Sequence, residues 1–366
     1  MDTGAPARLN PGVPPPRVSV LLPAFNALAT LPRAVASIRT QTFVEWELLV
    51  VDDGSTDGTA AWLRAQAARE PRLKVISQPH AGIVTALNRG LAAARGEFTA
   101  RMDSDDESLP ERLAEQVAFL EARPNLGVVG SLVEFAGDRS ASAGYALHVD
   151  WLNTVVTPEQ IALNRFVESP FAHPSVTFRR ELVARHGGYR DGDFPEDFEL
   201  WLRWLAAGVR MAKVPRILLR WHDPPARLSR TDPRYDVESF YRLKADYLAR
   251  WLRQHVPAAC SRRPAGLTAE GGDWKSPALL VWGAGRATRK RVRLLEAHGI
   301  AISAFVDIDP NKHGRSRAGH LVLAPEQIPT GAFHLGYVGK RGAREFCRSF
   351  LEQRGCVEGR DFLFAA

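Results

Sequence analysis

The chain has 366 residues, of which 45% are hydrophobic and 24% are charged, a composition typical of folded globular proteins. This length predicts two domains, or one domain with an appendage. The net charge of +7 favours phosphate-rich ligands, nucleic acid or an anionic membrane face, but nucleic-acid binding is disfavoured because neither zinc-ligand spacing nor an aromatic-basic RNA-binding signature occurs.

Short apolar strands alternate with amphipathic helices in the N-terminal third. After a Pro-rich lead, strands are predicted at 18–22, 48–51, 74–77 and 98–102. Two helices are predicted between them, with apolar stripes formed by Leu31, Ala34, Val35 and Ile38 and by Val84, Leu87, Leu91 and Ala94. These repeated units predict an α/β fold with a mostly parallel open sheet, whose ligands bind at the carboxyl ends of the strands.

The later part of the chain is less regular. A strand is predicted at 126–135, the pattern loosens to about residue 150, and helices follow around 158–164 and 198–207. A stretch with three prolines and three glycines predicts a linker. The predicted organisation is a flexible lead at 1–16, a main domain at 17–256, a linker at 257–277 and a smaller Rossmann-like domain at 278–366.

An acidic cluster follows the strand predicted at 98–102. Asp103, Asp105 and Asp106 place three carboxylates within four residues, and their mutual repulsion requires a counter-charge. Hard divalent cations such as Mg²⁺ or Mn²⁺ bind carboxylate oxygens and share their remaining coordination with a diphosphate. A solvated acidic turn before a helix is the alternative interpretation.

A second carboxylate pair, Glu196-Asp197, precedes an apolar-faced helix about ninety residues later. Carboxylates at a helix start are ordinary capping residues in most cases. The pair therefore does not indicate a catalytic role without further evidence.

An ordered set of motifs resembles glycosyltransferase family 2, with its GT-A fold, across residues 17–247. The motifs include Val18-Ser-Val-Leu-Leu-Pro23-Ala-Phe-Asn26, Val51-Asp52-Asp53-Gly-Ser-Thr-Asp57, Ala86-Leu-Asn88-Arg-Gly90, Arg101-Met-Asp-Ser-Asp-Asp106, His173-Pro-Ser-Val and Glu196-Asp-Phe-Glu-Leu-Trp-Leu-Arg203. The resemblance implies an inverting transferase that moves a sugar from a nucleoside-diphosphate sugar, with a UDP-sugar favoured, to a hydroxyl of a glycan or lipid-linked acceptor.

The resemblance also implies roles for particular residues. The donor-binding residues would be Pro23, Ala24, Asn26, Asp52, Asp53, Asn88, Arg101, Asp103 and Ser104. Asp103 and Asp105 match the D-x-D motif and would hold a divalent metal, Mn²⁺ or Mg²⁺, with Asp105 as the main ligand. Asp106 is expected to support the site or to cap a helix. Asp197 matches the general base that takes the proton of the acceptor hydroxyl.

Three further residues are candidate contacts of the nucleotide-sugar donor or of the acceptor. They are His173, Glu196 and Trp201. His222 is a weaker candidate as a third metal ligand, since a satisfied surface histidine is its default interpretation. Arg101 and Arg203 are expected to form structural salt bridges, because a planar guanidinium suits a carboxylate. Trp201 and Trp204 are expected to lie in the core.

The C-terminal third contains Gly283-Ala-Gly285 between a predicted strand and a basic helix, with Asp307 after the next strand. This pattern is typical of a dinucleotide fingerprint, and an NAD(P)-dependent oxidoreductase is the alternative function that it suggests. The fingerprint is incomplete because Thr288 replaces its third glycine. Such a function would leave Asp103, Asp105 and Asp197 without a role.

Two other functions fit the sequence less well. A sugar nucleotidyltransferase would need a Gly-rich basic loop after the first strand, where this chain has Pro23-Ala-Phe-Asn26. A silent binding module would not need both Asp105 and Asp197. Basic residues are crowded at the start of the helix predicted after Gly285. This pattern suggests binding of a phosphate or lipid headgroup, or simply a solvated basic face.

Cysteine usage and the absence of targeting signals suggest a location. Cys260, Cys347 and Cys356 cannot all pair, and none forms a Cys-x-x-Cys arrangement, which favours a reducing compartment. No apolar h-region begins the sequence, and no stretch approaches ~18 uninterrupted apolar residues. A cytoplasmic protein is expected, with peripheral contact at the inner membrane face as an open alternative.

Overall fold

The computed structural model describes residues 15–224, 227–257, 278–339 and 342–366. The predicted lead at 1–16 and linker at 257–277 lie almost wholly outside these ranges, as does Cys260. The described residues pack into two compact units. The first unit contains the chain up to Thr157 together with Phe171–Asp191 and Val209–Arg227, and the second contains Pro158–Pro170, Gly192–Gly208 and the residues from Leu228 onward.

The first unit is built on an eight-stranded sheet. Its strands are β1 (Val18–Ala24), β2 (Trp46–Asp52), β3 (Leu73–Ser77), β4 (Phe98–Arg101), β5 (Glu107–Ser108), β6 (Leu126–Phe135), β7 (Thr177–Arg179) and β8 (Arg210–Trp221). Its helices are α1 (Leu31–Arg39), α2 (Thr59–Ala67), α3 (Ile83–Ala93), α4 (Arg112–Glu121), α5 (Ala143–Leu152) and α7 (Glu181–His186). The strand order is β3-β2-β1-β4-β7-β6-β8-β5.

The first four strands pair in parallel, as the alternation of strands and helices predicts. β7 lies antiparallel between β4 and β6, and β5 pairs antiparallel with β8 at the edge. All four residues of the predicted stripe on α1 are buried, which confirms that helix, and β1, β2 and β4 are buried along almost their whole length. The mostly parallel α/β fold is therefore confirmed, and sheets of this kind bind ligands at the carboxyl ends of their strands.

The second unit contains a six-stranded sheet. Its strands are β9 (Leu279–Trp282), β10 (Ala304–Val306), β11 (Ser316–Arg317), β12 (His320–Leu323), β13 (Phe333–Gly336) and β14 (Phe362–Phe364), in the order β11-β12-β10-β9-β13-β14. Its helices are α6 (Pro158–Asn164), α8 (Glu196–Ala206), α9 (Leu228–Thr231), α10 (Val237–His255), α11 (Arg286–Ala297) and α12 (Ala343–Gln353). All pairings are parallel except that of β11 with β12.

The two units are interleaved along the chain, because 158–170 and 192–208 group with the residues from Leu228 onward. The physical reason is apolar packing, because α8 and α10 share one core with the second sheet through residues such as Phe198 and Leu248. The bounds 17–256 and 278–366 remain a prediction about independent domains. None of the described helices combines the length and apolarity needed to cross a bilayer.

Candidate active site

The loops after β1 and β2 are tied together at the carboxyl edge of the first sheet. Asn26 adopts a positive φ of 48°, a conformation that asparagine tolerates better than most residues. Its side-chain oxygen accepts a hydrogen bond from the Thr56 amide at 2.8 Å, and its own amide donates to the Ser55 hydroxyl at 2.9 Å. The predicted donor residue Asn26 therefore fixes the loop that follows Asp53.

Asp53 is 3% exposed and organises the loop that follows β3. Its carboxylate accepts hydrogen bonds from the Gln78 side chain at 2.6 Å and from the Ala81 and Gly82 amides, each at 2.9 Å. The His80 ring nitrogen lies 2.9 Å from the same carboxylate. The Asp53 carboxylate is thus already hydrogen-bonded within the protein, and its predicted contact with the nucleotide stays a prediction.

An aromatic pair that the sequence analysis missed lies beside Asp53. The rings of Phe25 and His80 stack with centroids 4.1 Å apart, and both side chains are about half exposed. The loop holding His80 passes so close to Gly54 that a Cβ there would lie 2.7 Å from the His80 amide nitrogen. A stacked and exposed pair at this edge offers a flat surface to a planar ligand.

Asp52 and Asn88 make structural contacts inside the first unit. Asp52 is 3% exposed and accepts a hydrogen bond from the Ser55 amide at 3.2 Å. The Asn88 side chain donates to the Tyr189 carbonyl at 2.8 Å and accepts from the Tyr189 amide at 3.0 Å. Both residues therefore stabilise loops around the site. Their predicted direct contact with a nucleotide-sugar donor stays a prediction.

The acidic cluster begins directly after β4. Asp103, Asp105 and Asp106 each present a carboxylate oxygen, and the three oxygens lie within 4.8 Å of one another. Asp103 pairs with the buried Arg101 guanidinium at 2.5 Å, as the sequence analysis expected for this arginine. Three converging carboxylate oxygens are a donor set suited to a hard divalent cation.

Asp106 does not cap a helix, the second of its two expected roles, since β5 begins at the next residue and the side chain is 1% exposed. One of its oxygens accepts a hydrogen bond from the His222 amide at 2.8 Å, while its buried Oδ2 has no hydrogen-bond partner in the described residues. Burial, followed by the charges of Asp103 and Asp105, raises the pKa of Asp106 well above its ordinary value. A buried carboxylate in this state gains from a nearby positive charge.

The pKa of Asp105 is shifted in the same direction as that of Asp106. Burial, with a smaller contribution from Asp103, raises its pKa to about 6, while the charges of Arg227 and Arg101 oppose that rise. The Arg227 guanidinium donates to the Tyr145 hydroxyl and lies 4.4 Å from the centre of the Trp221 ring. Arg227, which no sequence motif indicated, therefore supplies positive charge to the cluster.

His173 is enclosed rather than presented to solvent, at 8% exposure. Its Nε2 lies 2.8 Å from the Tyr189 hydroxyl, and burial lowers the pKa of the imidazole well below its ordinary value. The ring is therefore neutral at physiological pH. Its contact with donor or acceptor stays a prediction. His222 is not part of the carboxylate group that could hold a metal, as found among the described residues.

The second carboxylate pair lies in the second unit, in the first turn of α8. Glu196 is 2% exposed and accepts a hydrogen bond from the Tyr235 hydroxyl at 2.6 Å, whereas Asp197 is partly exposed. Trp201 and Trp204 are fully buried, and Arg203 pairs with Glu199 at 2.9 Å, as expected. Glu196 is therefore buried and bonded to Tyr235, whereas the Asp197 side chain remains partly accessible to solvent.

Asp307, the acid of the predicted dinucleotide fingerprint, is closed by its neighbours. Its carboxylate accepts hydrogen bonds from the Ala284 amide at 2.8 Å and the Asp309 amide at 3.0 Å, and it pairs with Lys312 at 3.1 Å. Thr288 is buried and donates to the Tyr337 carbonyl at 3.1 Å. An acid engaged in this way is poorly placed to bind a ribose, so the structure does not favour the oxidoreductase alternative.

Comparison with known proteins identifies the family. Residues 19–187 match the family described as Glycosyl transferase family 2. A Bacillus subtilis protein named as the glycosyltransferase EpsE is 32% identical over 232 residues, which cover 61% of this chain and 79% of that protein. The chain belongs to glycosyltransferase family 2. It is therefore a glycosyltransferase, as the ordered motifs predicted.

Two further comparisons agree with that assignment. The amylovoran biosynthesis glycosyltransferase AmsE of Erwinia amylovora is 29% identical over 208 residues, covering 55% of this chain and 74% of that protein. The crystal structure of S. aureus TarS 1-349 in complex with UDP-GlcNAc matches with a TM-score of 0.52 at 21% identity, over 66% of this chain and 73% of that chain. The TarS match supports the GT-A fold of this glycosyltransferase.

Proposed function

We propose that this glycosyltransferase moves a sugar, with inversion, from a nucleoside-diphosphate sugar to a hydroxyl of a glycan or lipid-linked acceptor. The observation that carries the proposal is the convergence of Asp103, Asp105 and Asp106, of which Asp106 has a buried oxygen without a partner in the described residues. The names of AmsE, an amylovoran biosynthesis glycosyltransferase, and of TarS in complex with UDP-GlcNAc support a UDP-sugar donor and a biosynthetic role.

The carboxylate cluster fits a divalent metal. Its oxygens are hard ligands, and burial together with mutual repulsion raises the pKa of Asp105 and Asp106, so a cation would stabilise their ionised forms. We assign Asp105 as the main ligand, with Asp103 and Asp106 completing the set of carboxylates. When bound, Mn²⁺ or Mg²⁺ would offset the charge of the donor diphosphate and of the leaving group.

Arginine side chains complete the charge balance around the cluster. Arg101 pairs with Asp103, and Arg227 acts on Asp105 and Asp106 from the end of the first unit. Because the guanidinium group suits both carboxylate and phosphate, Arg227 can hold the cluster without a donor and contact the diphosphate when a donor binds. The Phe25–His80 stack and the loops held by Asp53 would receive the nucleobase.

Asp197 is proposed as the general base. Its carboxylate would accept the proton of the acceptor hydroxyl as that oxygen bonds to the anomeric carbon, and the bond from that carbon to the diphosphate oxygen would break. A single displacement of this kind inverts the configuration. Family membership supports this role, as does the local structure, in which Tyr235 retains Glu196 while Asp197 is partly exposed.

Donor and metal are tested by protection against thermal unfolding. The full chain would be heated with UDP-, dTDP- and GDP-sugars, each with Mn²⁺, with Mg²⁺ or with a chelator. We expect one nucleotide class to raise Tm strongly only when the metal is present, because ligands that prefer the native state stabilise it. Protection that is equal with the chelator would contradict the metal-dependent proposal.

The role of Asp197 as general base is tested by measuring the rate of nucleoside diphosphate release. Asp197→Asn should slow turnover by ~10²–10⁴-fold while leaving metal-dependent donor protection intact, because the change removes proton transfer and not donor binding. Asp193→Asn is the matched control, since Asp193 is an exposed acid in the preceding loop. Turnover in Asp197→Asn equal to that of the control would eliminate Asp197 as the base.

A further inference from the structure

A cationic cluster in the second unit surrounds Tyr241 of α10. The guanidinium carbon of Arg291 lies 3.9 Å from the centre of the Tyr241 ring, and the Lys244 ammonium lies 4.0 Å from the same centre. Aromatic rings attract cations, so one ring holds both groups. The two positive charges are thereby kept together in spite of their repulsion.

Lys244 is buried with incomplete compensation. It is 2% exposed, and its ammonium donates to the Val167 carbonyl at 3.1 Å, although an ammonium has three donors. Burial lowers the pKa of Lys244 to about 8; Glu168 opposes this effect, while Arg291 and Arg344 add to it. The site therefore has an unmet demand for negative charge.

Several other basic side chains of the same unit are paired with acids. Lys290 pairs with Glu238 at 2.7 Å, Lys312 with Asp307 at 3.1 Å, and Arg348 with Glu358 at 2.9 Å. In the described part of the chain, no carboxylate side chain lies within ion-pair distance of Lys244 or Arg291. The Tyr241 cluster differs from these paired cations, because its buried Lys244 ammonium has a backbone carbonyl rather than a carboxylate as its partner.

Tyr337 adds a hydroxyl to this cluster. It directly follows β13, its side chain is 3% exposed, and its hydroxyl has no hydrogen-bond partner in the ranges that the structure describes. The charge of Arg291 acts on Tyr337, and an Arg291 nitrogen lies 4.0 Å from where a Cβ on Gly339 would stand. The cluster therefore lies at the carboxyl end of β13, the edge where parallel sheets bind ligands.

We propose that Lys244, Arg291 and Tyr337 form a binding site for the phosphate group of a small phosphorylated molecule. An ammonium, a planar guanidinium and a hydroxyl provide the charge-assisted and neutral donors that bind phosphate oxygens. Arg344, whose Nε donates to the Ala366 oxygen at 3.1 Å, adds positive charge to the same region. The site is built from residues of the second unit and does not depend on the proposed transferase mechanism.

The ligand is not expected to be a dinucleotide, because Asp307 is already engaged by Lys312 and two backbone amides. A monophosphate needs no ribose contact. The shared chemistry of a soluble phosphate ester and of a phospholipid headgroup leaves two sources of phosphate, which the experiment can separate.

The test is calorimetric titration of the full chain with inorganic phosphate and with glycerol 3-phosphate, in chelator and at constant ionic strength. We expect saturable binding, and no saturable binding of acetate. Arg291→Gln and Tyr337→Phe should each weaken the affinity, Arg291→Gln by about tenfold or more, since a charge-assisted hydrogen bond is lost. Arg293→Gln is the control, because Arg293 is an exposed arginine of the same helix.

Phosphatidic acid vesicles provide the second arm, measured by co-sedimentation. Binding of glycerol 3-phosphate that depends on Arg291 supports a soluble ligand, whereas binding to vesicles alone with the same dependence supports a lipid headgroup. The absence of saturable binding to every probe, or equal affinities in Arg291→Gln and Arg293→Gln, would overturn the proposal. Circular dichroism of each variant would verify folding, and Tyr337→Phe removes only the hydroxyl.

Discussion

The two sheets of this glycosyltransferase place acidic residues at equivalent positions with opposite outcomes. Asp103, Asp105 and Asp106 follow β4 of the first sheet, and Asp307 follows β10 of the second. In the first sheet, the buried Oδ2 of Asp106 has no partner among the described residues. In the second sheet, both oxygens of Asp307 are engaged by amides and by Lys312.

This difference shows that an acid at the end of a parallel strand is not in itself a ligand site. The two strand ends differ in the hydrogen-bond donors near their acids. The turn after β10 provides an amide and a lysine within five residues of Asp307. The turn after β4 instead adds two more acids. A carboxylate becomes available to a ligand where the fold leaves its charge uncompensated.

The largest effect is expected from Asp105→Asn. Removing the main metal ligand should lower the rate of nucleoside diphosphate release by about 10³-fold or more, because a bound cation supplies several kcal/mol of transition-state stabilisation. The matched change in the other sheet, Asp307→Asn, should leave this rate within about a factor of two or three. Comparable losses in the two variants would break the contrast between the sheets.

Asp307→Asn should instead affect stability. The substitution leaves the Lys312 ammonium without its buried carboxylate and weakens the hydrogen bond from the Ala284 amide. We expect a loss of about 1–3 kcal/mol in the free energy of unfolding. Denaturant unfolding of wild type and variant would measure it. An unchanged midpoint would show that Asp307 is less engaged than its contacts indicate.

A pH-dependent effect concerns a buried cation of the first unit. Lys213 is 1% exposed, donates to the Leu152 carbonyl at 2.6 Å, and has its pKa lowered by burial to about 7. The unfolded chain holds this proton up to about pH 10.4, so between pH 7 and that value it binds more protons than the folded protein does. Stability should therefore rise with pH in this window, by up to about 1.4 kcal/mol per pH unit.

Lys213→Met tests this linkage, since it removes the titrating group from a site beside Phe171. Below pH 7 both states of the wild type are protonated, so the cost of burying the charge is greatest there. The Tm of the variant relative to wild type should thus be highest at pH 6 and should fall steadily toward pH 9. A difference that does not vary with pH would contradict a lowered pKa for Lys213.

Much of the fold could be predicted from local patterns. β1, β2, β4 and β6 are short apolar runs, and the stripe on α1 has helical spacing, so each was identified within a few residues. β8 was missed because charged residues and Pro215 interrupt its sequence, although most of its other residues are buried. Tertiary pairing with β6, rather than a local pattern, forms that strand.

Only some residues of the candidate site could be predicted, again because tertiary contacts rather than local patterns position the others. Asp103 and Asp105 were identified because they form a compact motif, whereas Asp106 accepts a hydrogen bond from the His222 amide, which lies 116 residues away. Arg227 and the Phe25–His80 pair were missed because their contacts join distant segments. Family motifs could show which residues to examine but not which carboxylate lacks a partner.

The interleaving of the two units has a consequence for dissection of the protein. Pro158–Pro170 and Gly192–Gly208 belong to the second unit although first-unit segments flank both in sequence. No single scission can therefore yield two intact halves. A fragment beginning at residue 278 would lack α8 and α10, whose Phe198, Leu248 and Leu252 share its core, and would expose that apolar surface to water. Co-expression of complementary fragments, rather than truncation, is the rational route to studying either half.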